Sequence, residues 1–270
     1  LAVAFAPASM AVTPLTGVTS VSVGYEFSCA STSSGSVYCW GINGNGQLGV
    51  TLASSNETYN PVKLPTLTNV VAVASGTAHT CALQRDGAVW CWGDNSYGQL
   101  GNGTRTDALA PVRIAALPAA ASVFASRGAT CAVSTNGSLW CWGNFTYGPD
   151  LIPNRTQQQA ATPMQVSGLS QVTTVVLGPN NACALVASGA VYCWGQTNST
   201  SSMVGDGGAS SWPSTPQRVV GLADATQIGM SQYGVCAVRS THTLVCWGGI
   251  PELAYGSDYY DLPGTESVAP

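Results

Sequence analysis

Ten cysteines occur in this 270-residue sequence, and they form five pairs with one internal spacing: Cys29 and Cys39, Cys81 and Cys91, Cys131 and Cys141, Cys183 and Cys193, Cys236 and Cys246. Each second cysteine opens a Cys-Trp-Gly tripeptide, and the tripeptides recur at intervals of 52, 50, 52 and 53 residues. A fixed period of that size marks a repeat architecture, in which one supersecondary unit is written several times. The chain reads as a single domain of five units, approximately 9–60, 61–110, 111–162, 163–215 and 216–270, preceded by an arm at 1–8.

The spacing within a pair has a local geometric meaning. If Cys81 lies opposite Cys91, the chain between them turns at Arg85-Asp86-Gly87. A three-residue hairpin loop takes a type I turn followed by a residue in the left-handed region, normally glycine. The same count puts Gly35, Gly87, Gly137 and Gly189 at the third loop position, and His242 there in the fifth unit. Histidine tolerates positive φ better than most residues. Counting back from the closing pair Gln84/Ala88, the two cysteines fall on a non-hydrogen-bonded pair, where side chains approach closely enough for a cross-strand disulfide. Each bridge closes a loop of about ten residues, which chain entropy values at roughly 3 kcal/mol before strain. On the next pair inward Ala82 faces Trp90, and Ala30/Tyr38, Ala132/Trp140, Ala184/Tyr192 and Ala237/Val245 repeat this pattern of small against large. Stacked sheets interdigitate through such pairs. Free thiols and zinc are the competing readings, but structural zinc takes four ligands in short-spaced knuckles and the only histidines are His79 and His242. Five bridges imply an oxidising compartment.

Two further strand-like runs precede each hairpin. The first begins Pro61-Val62-Lys63-Leu64, Pro111-Val112-Arg113-Ile114, Pro163-Met164-Gln165-Val166 and Pro216-Gln217-Arg218-Val219, with Ser9-Met10-Ala11-Val12 as the counterpart in the first unit. Proline cannot donate to a ladder, so this run suits an outer or edge strand. The second run is β-branched and alternating, as in Val18 to Val23, Val70 to Val73 and Val172 to Leu177. Four short strands per unit, with no useful helical periodicity, predict an all-β fold, a β-propeller of five four-stranded blades with one hairpin disulfide in each.

The second unit carries the fullest motif: Gly76-Thr77-Ala78-His79-Thr80-Cys81-Ala82-Leu83, then Asp86-Gly87-Ala88-Val89-Trp90-Cys91-Trp92-Gly93, then Asp94-Asn95-Ser96-Tyr97-Gly98-Gln99-Leu100-Gly101-Asn102-Gly103-Thr104. This resembles the regulator of chromosome condensation repeat family, whose fold is a β-propeller. The first unit repeats the motif through Gly41 to Gly49, whereas units three to five keep the hairpin and Trp-Gly but lose Gly-Gln-Leu-Gly. The resemblance implies a fold more than a function, because propellers host many unrelated roles. Well-known members have seven units against five here. Nuclear members lack the cysteine pairs, which resemble those of secreted or cell-surface branches.

Composition bounds the partners. The net charge is −4 and Lys63 is the only lysine, so no basic stripe exists to neutralise phosphates and nucleic acid is not an expected partner. Charged residues make up 7% of the chain, against roughly a quarter in ordinary soluble domains. Covalent glycans are one way to keep such a surface wet, and six sequons occur, at Asn56, Asn102, Asn136, Asn144, Asn154 and Asn198. Covering the surface with protein is another. No apolar run has transmembrane length, and the apolar start Leu1 to Pro7 is expected to dock on the ring or on a neighbouring subunit.

The sequence offers little to an enzyme. His79 sits in a slot of the repeat and His242 in a turn, while the twelve carboxylates are scattered. Asp94-Asn95 and Asp206-Gly207-Gly208 lack a full set of oxygen ligands for calcium. Neither cofactor nor metal is expected. Trp40, Trp92, Trp142, Trp194 and Trp247 recur in every unit and are read as packing between blades. Recognition falls instead to Leu1, Val3 and Phe5 in the arm and to the loop or tail aromatics Tyr147, Trp212, Tyr255, Tyr259 and Tyr260, since aromatic anchors carry much binding energy. The expected function is a non-enzymatic extracellular or cell-surface glycoprotein that binds a protein partner or self-assembles, such as a subunit of a surface filament. A carbohydrate-binding module, and a secreted enzyme inhibitor or receptor ectodomain, are the alternatives.

Overall fold

The computed structural model describes residues 14–52, 56–144, 159–178, 181–195, 204–207, 213, 215–231, 234–248 and 265–267. They form five four-stranded sheets. The first contains β1 (Val18–Val23), β2 (Phe27–Thr32), β3 (Val37–Ile42) and β4 (Glu57–Lys63). The second contains β5 (Val70–Ser75), β6 (His79–Gln84), β7 (Val89–Gly93) and β8 (Ala108–Arg113). The third contains β9 (Ala120–Ser126), β10 (Ala129–Ser134), β11 (Leu139–Asn144) and β12 (Gln159–Gln165). The fourth contains β13 (Val172–Leu177), β14 (Asn181–Val186), β15 (Val191–Gly195) and β16 (Gln217–Arg218). The fifth contains β17 (Ala225–Met230), β18 (Gly234–Arg239), β19 (Leu244–Gly248) and β20 (Thr265–Ser267). Strands follow chain order within every sheet, and all neighbours are antiparallel except β19 and β20.

The hairpin register is the one that the cysteine spacing predicts. Cys81 pairs with Cys91 and Ala82 with Trp90, and the other four hairpins repeat this pairing. All five disulfides lie within a hairpin, with bridged Cα atoms 4.0–4.1 Å apart. That spacing belongs to a non-hydrogen-bonded pair, about 4.5 Å, rather than a bonded one, about 5.5 Å. The third loop residue has φ of 76°, 85°, 79° and 84° at Gly35, Gly87, Gly137 and Gly189, and 64° at His242. Replacing Cys131 and Cys141 together by alanine should therefore cost roughly 2–3 kcal/mol, read as a lower urea midpoint with no new bridge between blades. An unchanged midpoint would show that the staple adds nothing.

The sequence unit and the sheet are out of phase by one strand. The proline-bearing run does not open the next sheet but closes the preceding one: Lys63 pairs with Tyr38 and Val62 with Cys39, and the Leu64 amide donates to the Val37 carbonyl at 2.9 Å. Pro61 therefore lies on the outermost strand, where a missing N–H is harmless. In the first unit, the counterpart Ser9 to Val12 lies outside the described residues.

Successive sheets stack through their first strands, β1 against β5, β5 against β9, β9 against β13 and β13 against β17. No comparable contact joins β17 back to β1 among the described residues. Each hairpin tip helps to set the stack. The carbonyls of Gly35, Gly87, Gly137 and Gly189 accept the amides of Val70, Ala120, Val172 and Ala225, the first inner-strand residue of the next sheet, at 2.9–3.1 Å. A side chain on the tip would collide with that neighbour: a Cβ on Gly35 would sit 2.6 Å from the Asn69 nitrogen, and one on Gly137 2.7 Å from the Gln171 Cα.

Candidate interaction surface

The sheets are two-faced, and each interface joins unlike faces. The trailing face carries the disulfide, and the leading face carries the alanine and the Trp-Gly tryptophan. At the first interface Cys29, Val37, Cys39 and Leu64 pack with Val70, Val73, Ala82 and Trp92 of the second sheet. The second joins Cys81, Leu83 and Cys91 to Ala120, Val123, Ala132 and Trp142. The third joins Cys131, Leu139 and Cys141 to Val172, Val175, Ala184 and Trp194, and the fourth joins Cys183, Val191 and Cys193 to Ala225, Ala237 and Trp247. Five sheets thus make four buried interfaces of one design.

A loop latches the first two. In the first unit Asn43 Oδ1 accepts the Leu48 amide at 2.9 Å and Gln47 Oε1 accepts the Asn45 amide at 2.9 Å, which fixes the Gly-Gln-Leu-Gly turn. The turn aims the Gln47 carbonyl at the next sheet, where it accepts from Trp92 Nε1 and Thr80 Oγ1, both at 2.8 Å. In the second unit the Gln99 carbonyl accepts from Trp142 Nε1 at 2.8 Å and Thr130 Oγ1 at 2.9 Å. The close approach explains the last glycine, because a Cβ on Gly101 would lie 2.7 Å from Trp142 Nε1. The third unit lacks the motif, and Trp194 Nε1 is buried without a hydrogen-bond partner. Asp94 and Asn95 also serve the loop: Asp94 Oδ2 accepts from Gln99 Nε2 at 2.7 Å, and Asn95 Oδ1 accepts the Leu100 amide at 3.0 Å.

His79 is a fully buried titratable group of this stack. Its Nε2 lies 2.9 Å from Thr130 Oγ1 in the third sheet. Thr130 gives its only proton to the Gln99 carbonyl, so the ring donates from Nε2, and Nδ1 carries a buried lone pair without a partner. Burial lowers its pKa from 6.5 to about 4, against the opposing pull of Asp94 and the Arg127 backbone. The role is structural.

The two ends of the stack differ. On the leading face of the first sheet, Val21 and Val23 are 62% and 71% exposed. By register they match Val73 and Ser75, which the first sheet itself covers to 6% and 7%. Trp40 on the same face is only half-buried, unlike its four fully buried equivalents. It is therefore not packed between blades as the sequence reading expects, because no preceding sheet lies against it among the described residues. Tyr59 extends the face outward at 77% exposure. Its equivalents Leu109 and Ala161 lie against the glycine loops of the sheet before them, at Gly46 and Gly98. The trailing face of the fifth sheet is more polar. Gln227 stands where β5 has Ala72, and Gly229 carries no side chain where β5 has Ala74; Arg239, paired with Ala225, lies on the opposite, leading face, its Nε 2.9 Å from Asp224 Oδ1.

The recognition residues expected from sequence, Leu1, Val3, Phe5, Tyr147, Trp212, Tyr255, Tyr259 and Tyr260, all lie outside the described residues, as do the sequons Asn154 and Asn198. Asn56 and Asn136 are exposed, whereas Asn102 and Asn144 are half-buried. The β1 face escaped sequence reasoning, because Val18 to Val23 reads as an ordinary buried strand. Among the described residues no helix is long and apolar enough to cross a membrane.

Comparisons with known proteins fit this arrangement. Two models of the regulator of chromosome condensation (RCC1) repeat match the chain, one at residues 18–47, 70–99, 120–148 and 172–200 and the other at 34–83 and 86–133. The human E3 ubiquitin-protein ligase HERC2 is 41% identical over 95 residues, which make up 34% of this chain and 2% of that protein. Human WBSCR16 superposes with a TM-score of 0.76 at 24% identity, over 86% of this chain and 61% of its own. Prp20p of Saccharomyces cerevisiae, studied for its binding to Gsp1p and histones, superposes with a TM-score of 0.66 at 23% identity, over 77% of this chain and 52% of its own. The chain thus spans less than two thirds of each of these proteins.

Proposed function

This chain belongs to the regulator of chromosome condensation repeat family, and we propose that it is a non-enzymatic, extracellular or cell-surface glycoprotein whose propeller sheets serve protein–protein interaction or structural assembly. The observation that carries this reading is the exposed side-chain row Val21, Val23 and Tyr59 among the described residues of the first sheet, on a chain with few charges. Contiguous apolar patches of this kind mark protein contact sites. Prp20p, with the same fold, is described as binding Gsp1p and histones, so the fold is compatible with protein partners. The basic character that histone or nucleic-acid contexts accompany is absent from this sequence, with its net charge of −4.

Five disulfides suggest an oxidising, extracellular environment. Asn136 is the sequon best placed for a glycan. It stands exposed at a hairpin tip, where its Oδ1 accepts from Ser134 Oγ at 2.7 Å and from the Ser138 amide at 3.0 Å. The amide nitrogen, to which a sugar attaches, takes part in neither bond. Mass spectrometry of the native protein should find all ten cysteines oxidised and glycan mass at Asn136, which Asn136→Gln removes. Free thiols together with unmodified sequons would contradict the extracellular assignment. Cross-linking in the native setting should capture a protein at the first sheet, and recovery of the bare chain alone would count against the binding role.

A further inference from the structure

A polar cleft of about 320 Å³ opens at the hairpin tip of the second sheet, lined by Asn69, Gln84, Arg85 and Asp86. Its walls are fixed without using the groups that are free to bind. The Arg85 amide donates to the Asn69 carbonyl at 2.9 Å. Gln84 Nε2 donates to the Thr68 carbonyl, and Gln84 Oε1 accepts from Trp90 Nε1, both at 2.7 Å. Asp86 Oδ1 accepts the Ala88 amide at 3.0 Å, which leaves Oδ2 unused. The side chains of Arg85 and Asn69 are exposed and have no hydrogen-bond or ion-pair partner among the described residues. Across the strands Trp90 pairs with Arg113, which is exposed and likewise without a partner. Gln84, Trp90 and Arg113 share the leading face, so a track runs from Arg85 in the cleft, past a half-buried indole, to a second free guanidinium.

The repeat itself does not require this chemistry. In the third sheet Ser134 and Thr135 stand where the second has Gln84 and Arg85, Gln165 replaces Arg113, and Trp140 Nε1 is buried without a partner. In the fourth, Val186 and Ala187 take the two tip places. In the fifth, Arg239 takes the place of Gln84, and its Nε is bound to Asp224 at 2.9 Å. Guanidinium groups hold carboxylates through paired, charge-assisted hydrogen bonds. The indole between them offers an apolar surface to the C–H face of a sugar ring, while Asp86 and Asn69 offer acceptors and donors to hydroxyl groups. A carboxylate in the lining disfavours a phosphate backbone, in which every unit is anionic. The volume, about 320 Å³, lies at the small end of ligand sites, about 300–1,000 Å³, and suits one sugar of a longer chain. We propose that this cleft binds an acidic polysaccharide through its uronate residues, with Arg85 and Arg113 holding the carboxylates of successive sugars. The site lies apart from the exposed row of the first sheet and is independent of the protein-contact reading.

Isothermal titration of the full chain with tetragalacturonate tests this. The expected result is saturable binding that weakens as salt is added. Arg85→Ala and Arg113→Ala should each weaken it roughly tenfold, the loss of one charge-assisted contact. Both side chains are exposed, so the urea midpoint should stay that of the wild type. Arg218→Ala, two sheets away, should leave binding unchanged. The fully methyl-esterified tetramer keeps most hydroxyls and loses the charge, and it should bind roughly tenfold more weakly as well. Absence of binding, or binding indifferent to both arginines, would overturn the proposal. Equal affinity for the methyl ester would overturn it too, since the carboxylates would then play no part. Tighter binding of an oligothymidylate through the same arginines would mean a phosphate site instead. None of these outcomes bears on a protein partner at the first sheet.

Discussion

Trp142→Ala is expected to lower stability by about 3–5 kcal/mol, the range for a fully buried aromatic truncated in a core. Trp142 is 0% exposed at the second interface and packs with Leu100, Ile114 and Ala132. Its Nε1 is also one of two donors to the Gln99 carbonyl. Trp142→Phe keeps most of the volume and removes that bond, so it should cost about 1–2 kcal/mol. The instructive comparison is with the same residue type in other sheets. Trp194→Phe loses no hydrogen bond, because its Nε1 has none, and should cost less than Trp142→Phe. Trp40→Ala, on the uncovered face, should cost roughly 1 kcal/mol. Urea midpoints of the four variants, measured where the chain is monomeric, give the order directly. Equal costs for Trp40→Ala and Trp142→Ala would mean that the first sheet is covered after all.

The second large effect is a loss of stability in acid that belongs to one side chain. The folded chain holds His79 neutral down to about pH 4, chiefly because burial penalises the charged ring. In the unfolded chain the ring takes up a proton below about pH 6.5. Between these values the unfolded state binds more protons, so stability falls as pH falls. The slope approaches 1.36 kcal/mol per pH unit, and the full window is worth about 3 kcal/mol. The asparagine variant His79→Asn has a natural precedent, since Asn181 occupies the equivalent place opposite Gly195 in the fourth sheet. It should lose that slope while keeping the background titration of the carboxylates. Parallel wild-type and variant curves from pH 6.5 to 4 would remove His79 as the cause. The cost of charging the buried ring would be felt at the second interface, which His79 spans to Thr130.

Much of one blade was legible in the sequence, and little of how blades meet. The cysteine spacing with Gly35, Gly87, Gly137 and Gly189 specified hairpin, register and disulfide, because these are local constraints that φ and strand pairing impose over a dozen residues. The phase of the unit was less visible. Pro61 looked like the head of a new unit, and only its pairing with β3 assigns it to the sheet before. β9 was not singled out, because Ala-Ala-Ser-Val-Phe-Ala-Ser lacks the β-branched alternation of the other inner strands. The latch on Trp92 and Trp142 is made by backbone carbonyls, which no side-chain pattern records. The fate of Trp40 depends on whether a sheet precedes it, a property of the stack and not of the repeat. Positive φ accounts for glycine at four tips, but the approach of the next sheet is a second reason.

The account rests on unlike faces that bury one another between successive sheets, with the leading face of the first sheet exposed among the described residues. Hydroxyl-radical footprinting across a dilution series reads this most directly. Trp92, Trp142 and Trp194 should stay protected, while Trp40 and Val21 should react in the dilute chain. Protection of Trp40 equal to that of Trp142 at the lowest concentration would contradict the open first face, and with it the stack described above.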